Sequence, residues 1–122
     1  MYTVAQARQA LAELLPRLDE IVALRADTAE LAAAVTNGAA TTLGGTPEFK
    51  AAQARLDELI TQLSGEDLQL KGLAPLLLDF PSELDGVPVL LCWLEGDREL
   101  NWYHRLDLGF AGRRQLAPEV LE

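Results

Sequence analysis

The chain has 122 residues, 49% of them hydrophobic, enough to build a core as a single domain without disulfides or a structural metal. Nineteen acidic residues against ten basic ones leave a net charge of -9, which repels phosphate backbones and anionic lipid and so argues against nucleic acid and membrane surfaces as partners. One cysteine, Cys92, excludes an internal disulfide, and one histidine, His104, excludes a multi-imidazole metal cluster. The opening MYTVAQARQALAELL lacks the basic and apolar stretches of a secretion signal, and no apolar run approaches a membrane span, so the expected location is the cytoplasm.

In chain order, Thr3 and Gln6 have the spacing of a capping box, which starts a first helix near Val4. Apolar residues then recur in sevens, Val4, Leu11 and Leu18 in one register and Ala7, Leu14 and Ile21 in the other, weakening at Arg25 and Thr28. Pro16 lies inside this stripe; lacking an N–H and clashing with the Ala12 carbonyl, it predicts a kink or a break near Leu15. The glycine-rich stretch Thr36 to Thr46 reads as a flexible connection. Thr46 as N-cap, Pro47 at the first helical position and Glu48 beside the positive helix end start a second helix. Its stripe is Phe49, Ala52, Leu56, Leu59 and Leu63, and Ser64 and Gly65 stop it. Helices over 1–36 and 46–64 should pair as an antiparallel hairpin.

After Gly65 the pattern becomes extended. Leu68–Gly72, Pro75–Phe80, Val87–Leu94 and Leu100–Arg105 are short apolar or alternating runs, and the reversals at Leu84–Gly86 and Glu95–Arg98 are too short for parallel connections. The fold class expected is therefore α+β: a helical hairpin followed by three or four antiparallel strands over 67–105, with 106–122 a loop and tail.

The run GLAPLLLDFP, followed by VPVLLCWLEGDRELNWYHRLDLGFAGRRQL, resembles the C-terminal signature of an uncharacterised bacterial family, domain of unknown function 2203. Asp79, Phe80, Pro81, Leu91, Cys92, Trp93, Gly96, Trp102, His104, Gly109, Phe110 and Arg113 follow the family's order of GL..DFP, V.LCW..G, a Trp and His close together, and GF..R. Two departures are Asp97, where the family pattern has glutamate, and Tyr103, which separates Trp102 from His104. The resemblance implies a fold and a candidate surface, and no reaction.

Three constellations carry chemistry. Asp79, Glu95, His104 and Asp107 are candidate ligands for a divalent metal, or an acid–base set around a small substrate, with Arg113 a candidate anion or ligand contact. The segment GFAGRR at Gly109–Arg114 offers backbone N–H groups and two guanidinium groups for a carboxylate or phosphate, although pairing of Arg113 with Asp107 or Asp97 is the simpler expectation. Cys92 could be a nucleophile activated by His104, but a four-residue reversal at Glu95–Arg98 pairs Leu94 with Glu99, Cys92 with Asn101 and Val89 with His104. That register places Cys92 and His104 on opposite faces, with Cys92 a small buried hydrophobe. It also leaves apolar side chains on both faces of the sheet. One face would have to be covered by a second copy, which predicts a homodimer through Leu90, Leu94 and Tyr103. The leading function class is accordingly a non-enzymatic interaction or homo-oligomerisation module; the alternative is a metal-dependent or small-molecule-binding protein using the carboxylate, histidine and arginine cluster.

Overall fold

The structure, a computed structural model, describes residues 1–117. Two helices, α1 (Val4–Asn37) and α2 (Thr46–Ser64), precede strands β1 (Gln69–Leu73), β2 (Leu76–Leu84), β3 (Val87–Leu94), β4 (Trp102–Arg105) and β5 (Arg114–Gln115), with a short 3-10 turn at Phe110–Gly112. The class is α+β, and the strands form one antiparallel meander in the order β1-β2-β3-β4-β5. The chain divides into two compact units: Leu14–Leu63, and Met1–Glu13 together with the chain from Ser64 onward. The last five residues of the expected tail lie outside the described residues.

The helical unit buries Leu14, Leu18 and Ile21 of α1 and Leu56, Leu59 and Leu63 of α2, members of the stripes read from the sequence, together with Leu31, which lies outside them. Pro16 sits within α1, which passes through it without a break. An interior proline costs about 3 kcal/mol. Burying a leucine or isoleucine returns about 1.5–3 kcal/mol each, so the buried Leu14, Leu18 and Ile21 around Pro16 outweigh it. The start of α2 also differs by one residue from the sequence reading. Gly45, not Thr46, takes the cap position, because its carbonyl accepts from the Phe49 N–H at 2.9 Å and its N–H donates to the Glu48 carboxylate at 2.7 Å. Arg55 grips Glu20 across the pair through Nε and Nη2 at 2.8 and 3.0 Å, and that contact holds the Glu20 carboxyl below the usual carboxylate range.

In the sheet unit, β2 and β3 are joined by Asp85 and Gly86, both at positive φ (51° and 79°), the conformation that a two-residue hairpin turn requires. Leu77 through Leu84 then pair in register with Leu94 through Val87. The next connection departs from the expected four-residue reversal. Asp97 closes a turn on Leu94, its N–H donating to the Leu94 carbonyl at 2.8 Å and its carboxylate accepting the Leu94 N–H at 3.1 Å. The Asp97 carbonyl accepts from Trp93 Nε1 at 3.0 Å. Leu100, 1% exposed, is drawn into the core with its carbonyl held by the Arg8 guanidinium, so strand pairing resumes only at Trp102. The resulting register sets Cys92 opposite Trp102, Leu91 opposite Tyr103, Leu90 opposite His104 and Val89 opposite Arg105, one residue from the sequence reading.

That slip reassigns the faces. Leu78, Phe80, Ser82, Val89, Leu91, Trp93 and Tyr103 share one face; Asp79, Pro81, Leu90, Cys92, Trp102 and His104 share the other. The N-terminal segment covers the first face: Tyr2 meets Phe80 edge-on at 5.4 Å, donates its N–H to the Pro81 carbonyl and accepts from Ser82 Oγ. The segment 106–112 covers the second, with Arg113 stacked 4.5 Å from the Trp102 and Phe110 rings. The stretch expected to be loop and tail thus contributes a lid and a fifth strand, Trp102 pairing with Gln115 and Tyr103 with Arg114. Phe80 is fully buried between these layers. Phe80→Ala is expected to lower unfolding free energy by about 3–5 kcal/mol, measured as a fall in the urea midpoint.

Candidate functional site

The register of β2, β3 and β4 places Asp79, Cys92 and His104 on neighbouring strands of one face, and all three are buried. One ligating atom from each lies within 4.8 Å of the others. The expectation that Cys92 and His104 point to opposite faces is therefore overturned, because the Asp97 turn lengthens the connection. A fixed loop length had been the one assumption behind it.

His104 is held at both ring nitrogens. Nδ1 lies 2.8 Å from the Arg105 carbonyl, which can only accept, so Nδ1 carries a proton. Nε2 lies 3.2 Å from Asp79 Oδ2, within hydrogen-bond distance. Asp79 Oδ1 is buried without a hydrogen-bond partner among the described residues. Burial pushes the Cys92 thiol pKa up, the Asp79 charge and hydrogen bonding between the thiol and the Asp79 carboxylate add to the shift, and Arg113 opposes it. Cys92 is thus a protonated thiol, with the Leu90 carbonyl 3.7 Å from its sulfur.

Arg113 stands beside this group, its Nη1 buried and without a hydrogen-bond partner among the described residues. The expected ion pair with Asp107 or Asp97 does not form. Asp107 is instead gripped by Arg105 at 2.9 and 3.1 Å on the exposed surface, and Asp97 is spent on the Leu94 turn. Glu95 lies at the β2–β3 end, its carboxylate accepting the Leu76 N–H at 2.9 Å. Of the four metal candidates, the structure brings Asp79 and His104 together and leaves Glu95 and Asp107 apart. Leu90 and Leu94 share the face of Cys92, whereas Tyr103 is on the other face, so these three do not make one patch.

A cavity of about 210 Å³ opens over the pair, with Asp79 and His104 at its buried floor and Leu77, Leu90, Leu106 and Phe110 in its walls. Lys71 stands at its mouth, and sequence reading missed it. The signal was obscured because Lys71 is the extra residue where β1 slips register between Leu70 and Gly72, and bulges are not encoded by alternation. Cys92 in the native chain is expected to react with iodoacetamide far more slowly at pH 8 than in the urea-unfolded chain, followed by mass spectrometry; equal rates would contradict the burial-raised thiol.

No helix among the described residues is long and apolar enough to cross a membrane. No curated protein and no solved structure matches the chain. A family model does match, over residues 1–116, under the description of an uncharacterized conserved protein, and it spans both helices and the sheet. The chain belongs to the DUF2203 family, the group whose signature its C-terminal half carries.

Proposed function

We propose that the protein binds a small molecule, an apolar-bodied carboxylate, in the cavity over Asp79 and His104. The observation that carries this reading is the convergence of two buried titratable side chains at the floor of an apolar-walled cavity. At about 210 Å³ the cavity is below the roughly 300 Å³ at which drug-sized sites begin, so the ligand has few non-hydrogen atoms. Leu77, Leu90, Leu106 and Phe110 suit a short hydrocarbon body, and Lys71 at the mouth suits a carboxylate on an otherwise acidic chain.

Isobutyrate is a suitable probe, with isobutyramide as its neutral isostere. Titrated into the 15N-labelled protein, isobutyrate is expected to shift the amide signals of Leu77, Leu90 and Gly109 and to bind about fivefold tighter than the amide, a margin that Lys71→Gln removes. Equal affinity for acid and amide, or shifts confined to other residues, would sink the reading.

The interaction or homo-oligomerisation class loses its proposed contact, because Leu90 is 5% exposed within its own chain. A homodimer would have to use another surface, and the exposed Leu106 and Leu108 are available. Leu90→Asp is expected to destabilise the fold by about 3 kcal/mol or more in urea denaturation, whatever the subunit number. An unchanged urea midpoint would return Leu90 to a surface role.

A further inference from the structure

We infer that Asp79, Cys92 and His104 form a site for a divalent transition-metal ion of the zinc type, with one coordination position open to the cavity. The inference deepens the ligand-site reading and rests on the same cavity. Four observations support it independently of the sequence. The three donor atoms come from adjacent strands of one rigid sheet, all buried, and lie within 4.8 Å of one another. In a tetrahedral zinc site bond lengths of about 2.0–2.3 Å separate ligand atoms by roughly 3.3–3.7 Å, so the widest pair must close by about 1 Å and the His104–Asp79 pair is already at 3.2 Å.

The imidazole is also oriented as a ligand would be. Nδ1–H donates to the Arg105 carbonyl, which fixes the tautomer and leaves Nε2, the nitrogen turned into the group, as the donor to an ion. Asp79 Oδ1 is the third observation: it is buried at the cavity floor without a hydrogen-bond partner among the described residues, and an ion satisfies it. Last, the donor set selects the ion. Thiolate with imidazole and a single carboxylate suits zinc or cobalt(II), and not magnesium or calcium, which demand six or more oxygen ligands.

Three protein ligands leave the fourth tetrahedral position for water or a ligand atom, the pattern of open rather than closed zinc centres. The cavity supplies the approach, since Asp79 and His104 form its floor. Loading conserves atoms and charge simply. The ion displaces the Cys92 thiol proton, which goes to solvent, while the Nδ1 proton stays on the imidazole, hydrogen-bonded to the Arg105 carbonyl.

The test uses the whole chain, stripped of metal with a chelator and titrated with Co²⁺. A thiolate-to-cobalt charge-transfer band is expected in the near ultraviolet, saturating at one ion per chain and releasing the thiol proton into a weakly buffered solution. Cys92→Ser should abolish the band, His104→Gln should weaken binding by at least about tenfold, and Asp107→Asn should change nothing. Absence of the band at saturating Co²⁺ in the folded wild-type chain overturns the site, as does a band that survives Cys92→Ser; the wild-type result decides even if a variant fails to fold. Isobutyrate titrated into the metal-free and zinc-loaded protein separates the two readings. Isobutyrate binding without any cobalt band refutes the metal alone, and a cobalt band without isobutyrate binding refutes the carboxylate ligand alone.

Discussion

The turn that Asp97 closes on Leu94 sets the relation between β3 and β4, and the rest of the sheet's chemistry depends on that relation. Its carboxylate takes the Leu94 N–H that would otherwise start the next pairing, and its carbonyl pins the Trp93 indole. Side chains alternate between faces with a period of two, so a single residue gained in the connection turns the whole of β4 over. His104 and Trp102 thereby join Asp79 and Cys92, and Tyr103 leaves them. A polar group and an aromatic face are exchanged across the sheet by one aspartate.

The two apolar faces find different partners within the same chain. On one side Tyr2 closes over Phe80, with backbone and hydroxyl hydrogen bonds to Pro81 and Ser82 fixing its approach. On the other, Arg113 lies between Trp102 and Phe110, and the segment before it roofs the cavity. The polar group beneath is arranged around one acceptor, since His104 meets a polar partner at both nitrogens while Asp79 Oδ1 has no hydrogen-bond partner among the described residues. Buried polar clusters in which a single acceptor is left over are places where a ligand contributes free energy, because the desolvation cost of that atom has already been met by folding.

Much of the fold was legible in the residues. The heptad spacing of Leu11, Leu14, Leu18 and Ile21 and the stripe from Leu56 to Leu63 mark the helices, and Leu84–Gly86 marks a reversal between strands, because periodicity and turn chemistry are local. Helix α1 runs on through Pro16 because packing that the sequence does not display outweighs the local cost of the proline. The site is half legible: residue type alone points to Asp79 and His104 but equally to Glu95 and Asp107, and an apolar strand around Cys92 reads as plain core. Which strands bring which side chains together depends on register, and register here depends on a side-chain-capped turn and a bulge at Lys71, neither of which leaves a mark in apolar alternation.

The register that assembles the site also separates the two tryptophans. Trp93 lies on the face with Phe80, its indole N–H tied to the Asp97 carbonyl, and Trp102 lies opposite Cys92 under the Arg113 guanidinium. Each indole therefore senses a different layer: one is seated at the turn that sets the strand pairing, the other against the roof of the cavity. With only these two in the chain, replacing either by phenylalanine leaves a single tryptophan, which can be excited apart from the two tyrosines, so that loosening of the connection and movement of the roof become separately visible as changes in emission from one protein.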